Sequence, residues 1–171
     1  MTATSSVREP RFKAGLRLLE IETMYDSILV PTDGSEESMD ALEEAIELAK
    51  LTDATLDVLF VADTAQDSVT VVGTDVIDAL EREGEEIVGE VVERARESGV
   101  DVESEVVQGD PSRAIVDHAE RIGADVIVMG THGRRGLSRM LLGSVTEAVI
   151  RTSPVPVLSV RPEDKKAESD G

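Results

Sequence analysis

Glycines recur in the stretch MGTHGRRGLSRMLLGSVTEAVI, residues 129–150, at a spacing that could place backbone N–H groups around an anion. Gly130 and Gly133 carry no Cβ, so the backbone could approach a bound group closely. Gly143 and Ser144 precede a segment of helical periodicity, and the N-terminal end of a helix attracts anions. None of the residues from Gly130 to Gly143 is acidic, although 36 of the 171 residues are Asp or Glu. The pattern predicts a phosphate-binding loop.

This loop differs from the two familiar phosphate loops. The chain contains no G-x-x-x-x-G-K-[ST] sequence and no G-x-G-x-x-G sequence; its pattern is G-x2-G-x9-G-S. The side chains in the stretch leave alternatives open. Ser144 could contact phosphate, or it could form a capping box with Glu147. His132 could donate to phosphate, or it could be an exposed turn residue. Three arginines could neutralise phosphate charge or pair with surface carboxylates: Arg134, Arg135 and Arg139.

Composition excludes several classes of function. The chain has no cysteine and only two histidines, which argues against disulfides, thiol chemistry and a histidine-rich metal site, and it fits a reducing cytoplasm. A net charge of −19 and three aromatic residues argue against nucleic acid and anionic membranes as partners. No apolar run is long enough to span a membrane. We expect a soluble, cytoplasmic protein whose acidic surface suits high salt.

Three regions follow from the distribution of charge and periodicity. Residues 1–23 are an N-terminal extension, either a flexible or weakly helical arm or a product of an upstream start, with Met24 as the natural first residue. Residues 24–162 form one domain, which is long enough to bury a core. Residues 163–171 are polar and are expected to be disordered.

Short β-branched runs alternate with longer segments of helical periodicity from residue 27 onward. The sequence predicts strands at 27–31, 55–61, 102–107, 125–129 and 155–160. It predicts one helix after a cap at Ser35, a second over 75–98, and a third from its cap at Asp110 to its end at Gly123. Gly84 and Gly89 in the second helix indicate either a kink or a close packing contact. This alternation is typical of an α/β fold: a single doubly wound, five-stranded, mostly parallel sheet with helices on both faces.

Ligands of such folds bind beyond the carboxyl ends of the strands. The first predicted strand ends in Pro31-Thr32-Asp33-Gly34-Ser35, and the fourth ends in Met129-Gly130-Thr131-His132-Gly133. If the two strands are neighbours, these loops face each other across one crevice. Asp33 could equally be an ordinary turn residue within TDGS. His118, on the third helix, is interpreted as structural.

The order and spacing of these elements resemble the universal stress protein family, specifically its ATP-binding branch, whose motif reads G-2x-G-9x-G-(S/T). The resemblance extends over residues 24–160, from VPTDGS after the first strand to SPVPVLSV at the last. It implies the strand order 3-2-1-4-5 and a homodimer joined through strand 155–160. Pro154 and Pro156 fit an edge strand, since proline cannot donate to a ladder.

The resemblance also implies roles for individual residues. Asp33 would lie near the adenine and ribose, and Pro31 and Thr32 would frame the pocket. Val61 would pack on the base. Met129 and Gly130 would line the ribose and phosphate side, and the phosphates would be held by Gly133, Gly143, Ser144, Val145 and Thr146.

The leading hypothesis is therefore an ATP-binding regulator of the stress response. ATP would bind alone or with Mg²⁺ or Mn²⁺. Because Asp33 is the one carboxylate among the expected site residues, we expect no fast enzyme and at most slow ATP hydrolysis. One alternative is a dimeric stress module that binds protein partners and no nucleotide. Another is a flavodoxin-like electron carrier, although the chain has no Trp to stack on a flavin.

Overall fold

The computed structural model describes residues 24–65, 74–132 and 141–162. Five strands and four helices alternate along these ranges. The strands are β1 (Ser27–Pro31), β2 (Thr55–Asp63), β3 (Val102–Gly109), β4 (Val126–Gly130) and β5 (Val157–Val160). The helices are α1 (Glu36–Thr52), α2 (Thr74–Glu97), α3 (Pro111–Ile122) and α4 (Ser144–Thr152). The expected extension 1–23 and the expected tail 163–171 lie outside the described residues.

The strands form one parallel sheet in the order β3-β2-β1-β4-β5. Both the doubly wound α/β class and the strand order implied by the family resemblance are confirmed. Parallel strands need long crossover connections, and helices supply them here. Because β1 and β4 are neighbours, their carboxyl ends meet at the same edge of the sheet.

The sheet is buried between two layers of helices. Along β1, Ile28 and Val30 face the core shared with α1 and α2, whereas Leu29 faces the core shared with α3 and α4. This alternation follows from the two-residue period of a strand, which sends successive side chains to opposite faces. All three side chains are fully buried, and β1 is the middle strand of the sheet, between β2 and β4.

Local capping chemistry sets the helix ends as the sequence predicts. Ser35 caps α1 by accepting a hydrogen bond from the N–H of Ser38 at 3.2 Å. Asp110 caps α3 by accepting from the N–H of Arg113 at 2.9 Å, and Gly123 ends that helix at a φ of 66°. Side-chain oxygens at these positions satisfy N–H groups that the helix itself leaves unpaired.

Strand bounds differ from the sequence prediction where pairing extends or stops a strand. β2 and β3 run two residues further than predicted, because they pair in register up to Asp63 and Gly109. β5 begins at Val157 rather than at residue 155. Pro156 cannot donate to the sheet, although its carbonyl accepts from the N–H of Ile127 at 2.9 Å.

Gly84 marks a close packing contact. A Cβ at this position would lie 2.5 Å from Cδ1 of Phe60, so the glycine lets α2 lie against the aromatic ring on β2. A Cβ at Gly89 would meet no described atom within 4 Å. Of the two glycines of α2, only Gly84 is explained by a packing contact with the described residues.

Among the helices within the described ranges, none is both long enough and apolar enough to cross a bilayer.

Candidate nucleotide-binding site

The carboxyl ends of the neighbouring strands β1 and β4 form the edge of the sheet that we call the binding edge. It begins with the turn that follows β1. Thr32 is buried, and its N–H donates to the carbonyl of Leu59 at 2.9 Å, which prolongs the pairing with β2. Asp33 then accepts from the N–H of Ser35 at 3.0 Å, and Gly34 takes a left-handed φ of 76°. This is a tight turn stabilised by an aspartate side chain, as the TDGS sequence predicts. The turn delivers Ser35 to the start of α1.

Gly130, the last residue of β4, lies in close contact with the first turn of α1. We expected its missing Cβ to leave room for a ligand. A Cβ there would lie 2.9 Å from the backbone carbonyl oxygen of Glu37, in the first turn of α1. The glycine therefore lets α1 pack directly on the end of β4, and the expectation that it also leaves room for a ligand stays a prediction.

The entrance of α4 is fixed to the end of β4 by two hydrogen bonds. The N–H of Gly143 donates to the carbonyl of Thr131 at 2.8 Å. The hydroxyl of Thr146 donates to the carbonyl of Gly130 at 2.9 Å. Thr146 is buried, and its hydroxyl proton is directed at protein rather than at a ligand. What Thr146 presents at the helix entrance is its backbone N–H.

The N-cap of α4 is Gly143, and Ser144 is the first helical residue. The capping-box alternative for Ser144 was wrong, because a capping box requires the serine at the N-cap itself. The N–H of Glu147, which such a box would engage, donates to the carbonyl of Gly143 at 2.9 Å. The side chain of Ser144 is exposed. Helix geometry gives no partner within α4 to the N–H groups of Ser144, Val145 and Thr146.

Met129 and Val61 are placed mainly by the core. Met129 is buried in the cluster shared with α3 and α4, so its side chain packs inside the protein. Val61 is half-buried against the same cluster, near the carboxyl end of β2. The expected contact of Val61 with a base stays a prediction.

His132 does not occupy the exposed turn position that we considered for it. Its side chain is buried, with the residue 9% exposed. Nε2 contacts the carbonyl of Leu141, and Nδ1 lies 3.1 Å from the hydroxyl of Thr131 and 3.4 Å from Oε2 of Glu37. Both ring nitrogens therefore face groups of the protein.

His118 lies in a separate polar cluster beneath α3. Its Nε2 is 2.9 Å from Oδ1 of Asp57 on β2, and its Nδ1 is 2.7 Å from Nη2 of Arg121. Arg121 in turn donates to Glu105 on β3 at 2.6 Å. The arrangement joins α3 to two strands and agrees with the structural interpretation of His118.

Comparison with known proteins identifies the family of this chain. The family model described as "Universal stress protein family" matches residues 24–161. The chain belongs to the universal stress protein family.

Relatives of known name and structure cover most of the chain. The universal stress protein MJ0531 of Methanocaldococcus jannaschii is 40% identical over 152 residues, which are 85% of this chain and 87% of that protein. The solved structure of the hypothetical protein MJ0577 has a TM-score of 0.75 and 35% identity, and the match covers 82% of this chain and 99% of that one. A universal stress protein solved in complex with cAMP has a TM-score of 0.64 and 31% identity, with 80% and 97% covered.

The structure brings together most of the residues that the family resemblance implied. The turn after β1 and the entrance of α4 lie at the carboxyl ends of the neighbouring strands β1 and β4. That they line one crevice stays a prediction. The remaining predicted residues of this universal stress protein lie outside the described ranges: Gly133, Arg134, Arg135 and Arg139.

Sequence reasoning missed the first turn of α1 as part of the site. Glu37 contacts Gly130 through its backbone and His132 through its side chain. Ser38 places its hydroxyl 3.1 Å from that of Thr32. The first turn of α1 therefore contacts both the end of β4 and the turn that follows β1. The signal available was the cap at Ser35, which places the next three residues beside the end of β1.

Within the ranges that the structure describes, no three His, Asp or Glu side chains converge on a point that could hold a metal ion. The edge instead offers backbone N–H groups, the exposed hydroxyl of Ser144 and the carboxylate of Asp33. Such a set suits an anion at the α4 entrance and a hydroxyl-bearing group at the turn after β1.

Proposed function

We propose that this universal stress protein binds an adenine nucleotide, with ATP as the ligand, and acts in the cytoplasm as a nucleotide-dependent regulator of the stress response. One observation carries the proposal. The entrance of α4 has glycine as its N-cap and is held at the end of β4, beside the turn that follows β1. A helix entrance of this kind favours phosphate, because its first N–H groups and its dipole point outward. The relative solved with cAMP supports an adenine nucleotide as the class of ligand.

In this proposal the two loops divide the ligand between them. The N–H groups of Ser144, Val145 and Thr146 and the exposed hydroxyl of Ser144 bind the phosphates. Asp33, at the other loop, accepts a hydrogen bond from the ribose or the base, as the family resemblance implies. Each extra phosphate adds negative charge at the α4 entrance, so ATP should bind more tightly than adenosine.

Turnover is expected to be slow. Hydrolysis of ATP requires a positioned water, a base and usually a metal ion held by carboxylates. We propose that Mg²⁺ or Mn²⁺, when it accompanies ATP, is held mainly by phosphate oxygens and water. Its role would be to neutralise charge, and the protein groups at the edge would bind and orient the nucleotide.

The decisive experiment has two arms. The purified protein is denatured, and the released small molecules are identified by mass spectrometry. Binding of ATP, ADP, AMP, cAMP and adenosine is then measured by calorimetry in saline buffer. We expect an adenine compound among the released molecules and an affinity that rises from adenosine to ATP. If no adenine compound binds at millimolar concentration, the alternative of a partner-binding module without nucleotide replaces this proposal.

We also propose that the protein forms a homodimer through β5. This strand is at the edge of the sheet that the structure describes, so no described strand pairs with one side of its backbone. Leu158 on β5 is 44% exposed and Ile150 on α4 is 45% exposed, so both apolar side chains are accessible to a second copy of the chain. A symmetric pair of β5 strands would bury both.

Sedimentation equilibrium tests the dimer. Leu158→Asp should convert a dimer into a monomer, because two carboxylates would then face each other at the symmetric contact. Leu51→Asp is the matched control, since Leu51 is 66% exposed and lies near the C-terminal end of α1 rather than on β5. A wild-type protein that sediments as a monomer at micromolar concentration would refute the dimer and leave nucleotide binding untouched.

A further inference from the structure

His132 joins the end of β4 to the chain that leads into α4. Its Nε2 contacts the backbone carbonyl of Leu141, nine residues further along the chain. A carbonyl oxygen only accepts hydrogen bonds, so Nε2 carries the proton and donates it. The two residues that precede His132 also hold this segment, since the carbonyls of Gly130 and Thr131 accept hydrogen bonds from the start of α4. His132 adds a third contact. The other two use backbone carbonyls of Gly130 and Thr131, whereas this one uses a side chain.

We propose that His132 is a positioning residue that fixes the entrance of α4 against β4 and thereby sets the affinity for phosphate without touching the ligand. This inference rests on the proposed nucleotide binding at that entrance. Burial of the imidazole and the protein groups at both of its nitrogens argue against direct contact with phosphate. A helix entrance binds phosphate well only when its N–H groups converge, so a small displacement of α4 weakens several hydrogen bonds at once.

The other side of the imidazole is held in either protonation state. A neutral ring accepts a hydrogen bond at Nδ1 from the hydroxyl of Thr131, which lies 3.1 Å away. A cationic ring presents an Nδ1–H to Oε2 of Glu37 at 3.4 Å, a buried oxygen for which the described residues supply no hydrogen bond. That separation is an ion-pair distance rather than a hydrogen bond. Both states keep the proton on Nε2, so the contact with Leu141 does not depend on the charge of the ring.

Glu37 extends the same connection to the other loop. It stands next to Ser38, whose hydroxyl is 3.1 Å from that of Thr32 in the turn after β1. His132 contacts Leu141 before α4 and Glu37 in the first turn of α1, and Ser38 in that turn contacts Thr32. These contacts connect the entrance of α4 to the loop that is proposed to hold the ribose end.

Two amide substitutions isolate the Nε2 contact. His132→Gln places an amide N–H near the position of Nε2 and can still donate to Leu141. His132→Asn is shorter and reaches only the position of Nδ1, so it keeps a polar group toward Glu37 and loses the contact with Leu141. We expect His132→Asn to raise the dissociation constant of ATP by up to about tenfold, which is the range for one hydrogen bond. The dissociation constant of adenosine should stay within about twofold, and His132→Gln should recover most of the ATP affinity.

The control variant is His118→Gln, which changes the buried histidine that lies outside the site. It should lower the melting temperature and leave the ratio of ATP affinity to adenosine affinity as in the wild type. If His132→Asn and His132→Gln share that unchanged ratio, His132 is only part of the packed core and the proposal is wrong.

Hydrogen–deuterium exchange gives a readout that does not need a nucleotide. In the free protein, the amides from Ser144 to Glu147 should exchange faster in His132→Asn than in the wild type or in His132→Gln. Faster exchange in the absence of any nucleotide binding would refute the proposed function and retain the positioning of α4. Identical exchange in all three proteins would refute the positioning itself.

Discussion

Single residues at the binding edge act through the groups that they contact, and Gly130 is the clearest case. Its type is explained by the carbonyl of Glu37, 2.9 Å from where a Cβ would be. A residue in a glycine motif can thus serve helix packing. The hydroxyl of Ser144, by contrast, is exposed and lies outside the capping position of α4.

Ser144→Ala should weaken ATP binding and leave the fold intact. Because Gly143 is the N-cap, we expect the free energy of unfolding to change by less than about 0.5 kcal/mol. The dissociation constant of ATP should rise by about two- to tenfold, as expected for the loss of one hydrogen bond to a charged group. Calorimetry and urea unfolding measure the two quantities.

The matched control is Asp110→Ala, which removes a true N-cap at α3. It should cost about 1 kcal/mol of stability and leave ATP affinity unchanged. If Ser144→Ala lowers the stability and leaves ATP affinity unchanged, as expected for Asp110→Ala, then Ser144 stabilises α4 rather than binding phosphate.

Asp110 also predicts a pH dependence. Hydrogen bonds from the Ser112 hydroxyl and from the N–H of Arg113 hold the pKa of Asp110 below its ordinary value of 3.8. A carboxyl whose pKa is lowered by folding stabilises the protein above the unfolded-state pKa, and this stabilisation is lost as the pH falls through the folded-state pKa.

Asp110→Asn keeps a good N-cap and removes the titrating group. Relative to this variant, the wild type should gain a constant free energy of unfolding above about pH 5, and this gain should shrink from about pH 4 downward. Urea unfolding of both proteins at constant salt measures the difference. A difference that does not vary between about pH 5 and pH 2 would contradict the assignment.

At the scale of elements, the position of α2 on the sheet depends on Gly84. Gly84→Ala should destabilise the protein by about 1–3 kcal/mol, since its Cβ would lie 2.5 Å from the buried ring of Phe60. Gly89→Ala, in the same helix, should stabilise it by up to about 1 kcal/mol, because alanine has the higher helix propensity and its Cβ meets no described atom within 4 Å. Thermal and urea unfolding measure the change in the free energy of unfolding for each variant. The two changes have opposite signs if the packing contact is real, and the same sign if helix propensity alone decides.

At the scale of the whole molecule, the net charge of −19 should make stability depend on salt. Repulsion among surface carboxylates is long-ranged in dilute buffer and is screened within about 3 Å at 1 M salt. We expect the melting temperature to rise between about 0.1 M and 2 M KCl. A melting temperature that does not change with KCl concentration would refute the adaptation of this surface to high salt.

A charge-reduced variant provides the control for the salt experiment. Glu86, Glu90 and Glu93 are exposed along one stretch of α2, at spacings where like charges repel. Changing all three to Gln should raise the melting temperature at low salt and flatten its dependence on KCl. The same shift at every salt concentration would indicate a local effect of helix propensity instead.

The sequence alone was sufficient for the alternation of strands and helices, for the caps at Ser35 and Asp110 and for the end of α3 at Gly123. These features depend on chemistry within a few residues: the period of apolar side chains, an oxygen that accepts from a nearby N–H, and a glycine in a left-handed conformation. The motif around Gly143 also identified the entrance of α4 correctly, because glycine spacing and helical periodicity are both local signals.

The tertiary structure alone decided what Gly130, His132 and Thr146 contact. Glu37 is far from Gly130 in the chain, and it reaches Gly130 only because α1 packs on the end of β4. The Thr146 hydroxyl likewise finds the Gly130 carbonyl, and His132 finds Leu141, once the parallel sheet has placed β4 beside α4. A side chain's residue type limits which partners it can have, but which one it meets depends on packing between segments that are distant in sequence. That packing has no local sequence signal.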